Sequence, residues 1–300
     1  SGFFTAMIYQ RRGLKFLLNH RLKRVALPLL IFTPILTPLV EWVLRMARTK
    51  QGNAEVFNSV TNVPWLETFN FHHLWFLWFL CLMVLAFALI SALPKPRISK
   101  KWINSPRCLL WLIPLTMLPQ LWMTRAYPLY GPESSLNFIP IPYVFFYYAI
   151  FYGFGAILYH FGDEVVTKHW KLKLLIALCV LFPSGMLLEW WSLYNVPTLQ
   201  WVSDLLQVSF SWLMIFACIG LFREKLSQPS PKVRYLSDAS YWLYLAHLPL
   251  VFGLQLAILD WPLSSWVKFL LVNLFSFSLL LISYHYGVKG KILGKLLNGK

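Results

Sequence analysis

Charge is scarce in this chain. Charged residues fill 13% of the 300 positions while hydrophobic residues fill 58%, and the mean hydropathy is +0.58. With several apolar runs near 20 residues, that balance points to an integral membrane protein of many helices. Cysteine is sparse too. Cys81, Cys108, Cys179 and Cys218 lie in or beside apolar runs, and none has CxxC spacing. Neither a disulfide nor a cysteine metal site is therefore expected, and the four serve as small apolar filler. HExxH, GxSxG and Walker-type motifs are all missing, so zinc-protease, nucleophile-elbow and P-loop chemistry have no foothold. No internal repeat, low-complexity tract or shift in composition marks a second domain, and one membrane domain over residues 1–300 is expected. The chain opens at Ser1 inside an apolar segment, with no signal peptide or charged leader. It is expected to lack its natural beginning.

What is present is a ladder of apolar segments. After an opening stub at 1–9, spanning helices are predicted at about 25–44, 73–93, 108–124, 141–161, 174–191, 201–222, 240–259 and 263–286. The fold class is all-α, a polytopic transmembrane bundle of eight whole helices plus the stub. The basic residues divide sharply between alternate connections. The side holding 10–24, 94–107, 162–173, 223–238 and the tail carries 22 Lys and Arg, and the other side carries 4. This asymmetry predicts that the first side, and with it the C-terminus, is cytoplasmic. It also accounts for the net charge of +16 through anionic lipid headgroups, with no nucleic-acid partner.

The chain is arranged around Asn70-Phe71-His72-His73-Leu74-Trp75-Phe76-Leu77-Trp78. No charged residue occurs from 74 to 94, so His73 stands where a helix enters the bilayer from the outer face. Two readings fit: a headgroup-level aromatic belt, or a polar group at the rim of an intramembrane cavity. His247 lies some seven residues into a later helix, with Tyr244 and Ser240 on its face, either fixing packing or acting with a partner. Arg21 and Arg24 stand at i and i+3 before a membrane entry, as a solvated basic cluster or as a bidentate phosphate clamp. Glu67, Glu189 and Asp204 read as outer-interface carboxylates that can orient a histidine or bind a sugar hydroxyl.

Three pieces in order carry a resemblance: Ser1-Gly2-Phe3-Phe4 followed by Arg21-x-x-Arg24 and Leu27-Pro28; His73-Leu74-Trp75-Phe76-Leu77; and Ser240-Tyr241-Trp242-Leu243-Tyr244-Leu245-Ala246-His247-x-Pro249. The set resembles the integral-membrane acyltransferase 3 family, and within it a branch whose members modify periplasmic glucans with acyl groups such as succinyl. Members typically have ten spanning helices. The resemblance therefore implies that this chain lacks the first, together with the family's best-attested catalytic histidine, whose role is not transferred to His73.

The resemblance implies transfer of a succinyl or acetyl group from cytoplasmic acyl-CoA to a hydroxyl of an extracytoplasmic glucan or other glycan. Acyl-CoA is then a co-substrate, with no bound cofactor and no metal. The partners are acyl-CoA, the glycan and the lipid bilayer, and the location is the cytoplasmic (inner) membrane. Arg21 and Arg24 match the motif that engages the donor, and His73 is the candidate base on this chain's own residue pattern, not by transfer from the family. Trp75 matches the family's outer segment, and Tyr244, His247 and Glu67, singled out by the residue pattern alone, are expected beside it on the substrate path. A glycolipid or small-molecule transporter or flippase, or a structural subunit, would use the same kinked helices without covalent chemistry.

Overall fold

The computed structural model describes residues 1–50, 70–92, 99–127, 129–194 and 197–298. Eleven helices are labelled here in chain order: α1 Gly2–Arg21, α2 Leu27–Lys50, α3 Trp75–Ser91, α4 Leu109–Ala126, α5 Pro142–Phe161, α6 Trp170–Ile176, α7 Phe182–Tyr194, α8 Gln200–Lys225, α9 Pro231–Ala257, α10 Ser265–Ser283 and α11 Ile292–Asn298. Wider π-type turns join α1 to α2 at Leu22–Ala26 and α6 to α7 at Ala177–Leu181, and another extends α10 through Tyr284–Val288. The described residues hold no strand, and an isolated antiparallel bridge pairs Asn70 with Asn137. The chain is an all-α, multi-pass membrane protein.

Six helical stretches among the described residues are long and apolar enough to cross a membrane. The first runs over Gly2–Lys50 and takes in both the opening stub and the helix expected after it. Neither α4 nor α9 is among the six. α4 carries Pro114, Pro119, Gln120 and two threonines, and α9 begins with a polar turn holding Lys232, Arg234 and Asp238. Lipid contact explains why α10 shows Trp266, Phe269, Leu270, Leu274 and Phe277 to the outside, each at least half exposed.

Two expected connections are helical. Residues 10–24 carry the helix onward, broken at Gly13, where φ is 78° and ψ 174°. A residue with a Cβ rarely adopts that backbone, and glycine does so freely. The polar stretch 223–238 is likewise mostly helix: α8 continues to Lys225, and α9 starts at Pro231, whose missing N–H costs nothing in a first turn.

The helices form two compact units. The first comprises Ser1–Leu17, Met83–Ser135 and Pro140–Ser230. Its core gathers Cys108 and Leu112 beside Phe154, Leu158, Val208, Trp212 and Phe216. Trp212 stacks on Phe151 with ring centroids 4.4 Å apart and donates its indole N–H to the Thr116 hydroxyl at 3.1 Å. The second unit comprises Leu18–Leu82, Leu136–Ile139 and Pro231–Lys300. Its core joins Val25, Leu29, Phe32 and Leu36 to Phe71, Leu74 and Leu77, to Ala239 and Leu245, and to Tyr284, Val288 and Leu297. This second unit carries His73, His247, Arg21 and Arg24.

Candidate functional site

The entrance to α3 is a built turn. His72, His73 and Leu74 form a single 3-10 turn ahead of the helix. His72 takes a left-handed φ of 45°, and its N–H donates to the Asn70 side-chain oxygen at 2.8 Å. Such a conformation is costly for a residue with a Cβ and persists where the surroundings over-determine it. Here they do. The Phe71 N–H donates to the Leu136 carbonyl at 2.8 Å, and Trp78 donates its indole N–H to the Phe138 carbonyl at 2.9 Å while stacking on the Phe138 ring at 5.1 Å. The short strap 136–139 thereby pins both sides of the histidine pair.

α9 supplies the opposite wall. The Tyr244 hydroxyl donates to the His73 carbonyl at 2.5 Å. His73 Nε2 lies 2.8 Å from the Leu245 carbonyl. A carbonyl only accepts, so Nε2 holds the proton and the neutral ring keeps its lone pair on Nδ1. That Nδ1 is buried and has no hydrogen-bond partner among the described residues. His247 sits edge-on to His73 with ring centroids 5.1 Å apart. Its Nδ1 lies 2.7 Å from the Tyr244 carbonyl, so it carries the opposite tautomer and its lone pair is on Nε2. His72 Nε2 stands 3.9 Å from a Glu41 carboxylate oxygen. Two imidazoles with bare lone pairs, in an apolar setting and anchored through their other nitrogens, are suited to taking and passing a proton.

The backbone of Arg24 is held by the same helix. Arg21 stands just ahead of the π-type turn and Arg24 within it, both half-buried, with Lys23 between them exposed. The Tyr241 hydroxyl donates to the Arg24 carbonyl at 2.8 Å, and one Arg24 amino group reaches the Leu297 carbonyl at 3.5 Å. Tyr241 and Tyr244 are one turn apart, about 4.5 Å along the helix axis. The backbones of the arginine motif and of His73 are thus anchored on adjacent turns of α9. The sequence reading expected them at opposite faces of the membrane, an inner mouth and an outer rim. A proximity carried by two tyrosines on a third segment has no sequence signal beyond their i, i+3 spacing.

The remaining expected residues fall out differently. Trp75 is half-buried and meets Phe79 edge-on at 5.0 Å. Tyr244 donates its hydroxyl to the backbone of His73 and so anchors the turn. Glu67 lies outside the described residues. Glu189 and Asp204 are buried within the protein: they are 3% and 1% exposed, in the first unit. One Glu189 oxygen accepts from Gln200 Nε2 at 2.7 Å, Ser203 Oγ at 2.8 Å and Gln207 Nε2 at 3.0 Å. One Asp204 oxygen accepts from Thr124 Oγ1 at 2.6 Å and Gln120 Nε2 at 3.2 Å. Among the described residues no group of three His, Cys, Asp or Glu side chains is placed to hold a metal ion.

Comparison with known proteins gives this geometry a setting. The profile of the acyltransferase 3 family, described as an acyltransferase domain, matches residues 1–285. Glucans biosynthesis protein C of Salmonella gallinarum is 24% identical over 311 residues, covering all of this chain and 80% of the relative. The Escherichia coli protein of the same name, strain SMS-3-5, is 26% identical over 315 residues with the same coverage. No solved structure matches the chain significantly.

Proposed function

The chain belongs to the acyltransferase 3 family and is an acyltransferase, and from that premise we propose that it moves a succinyl or acetyl group from acyl-CoA to a hydroxyl of a glucan or related glycan. The acceptor class follows the name shared by relatives aligned along the whole chain. The observation that carries the mechanism is the buried, unpartnered Nδ1 of His73, opposite an Nε2 that is fixed as a donor.

In this mechanism Nδ1 takes the proton of the sugar hydroxyl as its oxygen attacks the thioester carbonyl. The C–O bond forms, and collapse of the tetrahedral intermediate breaks the C–S bond. The CoA thiolate leaves and recovers the proton from the His73 imidazolium, so the enzyme ends as it began. Arg21 and Arg24 hold the phosphates of the donor as guanidinium groups do elsewhere.

The split of 22 against 4 basic residues across alternate connections supports a cytoplasmic-membrane location with the C-terminus inside and the donor drawn from the cytoplasm. The test is acylation of glucan, read by mass spectrometry in cells making His73→Ala, His73→Gln or Arg21→Ala at wild-type protein level. Each His73 variant is expected to lose roughly 10²–10⁴-fold in rate, the usual worth of a positioned base. Arg21→Ala is expected to raise the KM for acyl-CoA. Undiminished acylation in the His73 and Arg21 variants would overturn the assignment.

A further inference from the structure

The carbonyl that holds His73 is available because of a residue four positions beyond it. In a regular helix the amide N–H of residue 249 would bond to the carbonyl of residue 245. Residue 249 is Pro249, buried inside α9, and it has no N–H to give. Its ring also crowds the carbonyl four residues back and turns it away from the helix axis. A carbonyl released in an apolar helix must find a donor within the protein, since no water is at hand. Leu245 is fully buried, and the donor it finds is His73 Nε2 at 2.8 Å.

We propose that Pro249 is a positioning residue: by freeing the Leu245 carbonyl it locks His73 in the tautomer with the proton on Nε2, leaving Nδ1 as the acceptor for the substrate proton. The assignment of the substrate proton rests on the acyl-transfer reading above; the tautomer lock does not. The turn around His73 is held in the same sense. The Tyr244 hydroxyl grips its carbonyl at 2.5 Å, and Asn70 caps the preceding amide at 2.8 Å. The ring is thus presented to the freed carbonyl from a fixed backbone. His247 provides an internal contrast. Its Nδ1 bonds the Tyr244 carbonyl at 2.7 Å, and the residue four positions after Tyr244 is Leu248, an ordinary amide donor. No proline creates that bond.

The experiment reads the side-chain nitrogens of histidine by NMR in detergent-solubilised protein labelled with ¹⁵N-histidine, with signals assigned through His73→Asn and His247→Asn. In wild type, His73 is expected to show a protonated Nε2 and a bare Nδ1, and His247 the reverse. Pro249→Ala restores an amide that reclaims the Leu245 carbonyl. The His73 signals should then move to a mixture of tautomers while those of His247 stay in place. In the same variant kcat should fall at least about tenfold, a part of the roughly 10²–10⁴-fold a positioned base supplies, with KM for acyl-CoA little changed. Replacing Pro249 by lactic acid, which puts a backbone ester at 249 with neither ring nor N–H, should rescue the wild-type tautomer and rate.

A wild-type His73 protonated on Nδ1 overturns the proposal even if no variant folds. So does a Pro249→Ala protein that loses activity with its His73 tautomer intact, which would make the proline merely structural. If the tautomers behave as expected but His73→Ala remains fully active, the lock stands and the acyl-transfer role of His73 falls.

Discussion

Tyr244 was legible as a residue on the face of His247, three positions before it, and that is where the sequence stops being informative. Its hydroxyl turns to the backbone of a histidine 171 positions earlier, and nothing in the spacing of α9 announces the partner. Tyr244→Phe removes one hydrogen bond and almost no volume. We expect it to cost about 0.5–1.5 kcal/mol of stability, read as a lowered thermal midpoint in detergent, and to lower kcat while leaving KM unchanged. A raised KM for the glycan would instead return Tyr244 to the wall of the substrate path. The histidines themselves were conspicuous because an ionisable group in an apolar run must face a partner. Their orientation was not, because it follows from carbonyls that any residue could present.

Between elements, the contrast is between packing that glycine permits and polarity that the core tolerates. A Cβ added at Gly2 would stand 1.8 Å from the Tyr152 carbonyl oxygen, so α1 and α5 touch backbone to backbone at that point. Tyr152 fixes the contact further, donating its hydroxyl to Thr5 Oγ1 at 2.8 Å. Gly2→Ala must push the helices apart, and a loss of about 1–3 kcal/mol is expected, the usual cost of overpacking. The check is thermal unfolding against a Gly153→Ala control, where the added methyl meets nothing within 4 Å.

Glu189 is the opposite case. Its carboxylate oxygen gathers three donors from α8, and the sequence reading placed it at the interface because glutamate near a helix end ordinarily sits there. What hides it is the row Gln200, Ser203, Gln207 on the facing helix, a polar stripe with helical spacing that was present in the sequence. Glu189→Ala strands those donors and should destabilise by roughly 3 kcal/mol or more, enough to lower the yield of folded protein. Glu189→Gln keeps an acceptor oxygen and should lose much less. Equal losses in the two variants would show that the network contributes little.

For the whole molecule, hydropathy disclosed the class of fold, because the bilayer admits few solutions for a chain this apolar. Hydropathy and the count of basic residues misjudged the connections, since charged residues and a positive-φ glycine are as compatible with a broken helix as with a loop. One such connection carries the polar cluster in which Arg223 donates to both Asp163 and Glu164 at 2.8 Å. The Arg223 guanidinium holds the Glu164 carboxyl below the usual carboxylate range. A depressed carboxylate stabilises the fold above its unfolded value, about pH 4.3, and that contribution is lost as pH falls through the lower folded value. The difference in thermal midpoint between wild type and Arg223→Ala should therefore be constant above about pH 5 and vanish on acidification. It should be small throughout, because the pair is open to solvent and screened.

The link between His73 and the Leu245 carbonyl joins positions 172 residues apart. A ribosome adding about 5–20 residues each second takes on the order of 10–35 s to travel between them. Through that interval the nascent histidine lacks the carbonyl that receives its Nε2 proton. The turn around His73 is therefore completed late in the chain's synthesis, when the segment bearing Leu245 and Pro249 arrives.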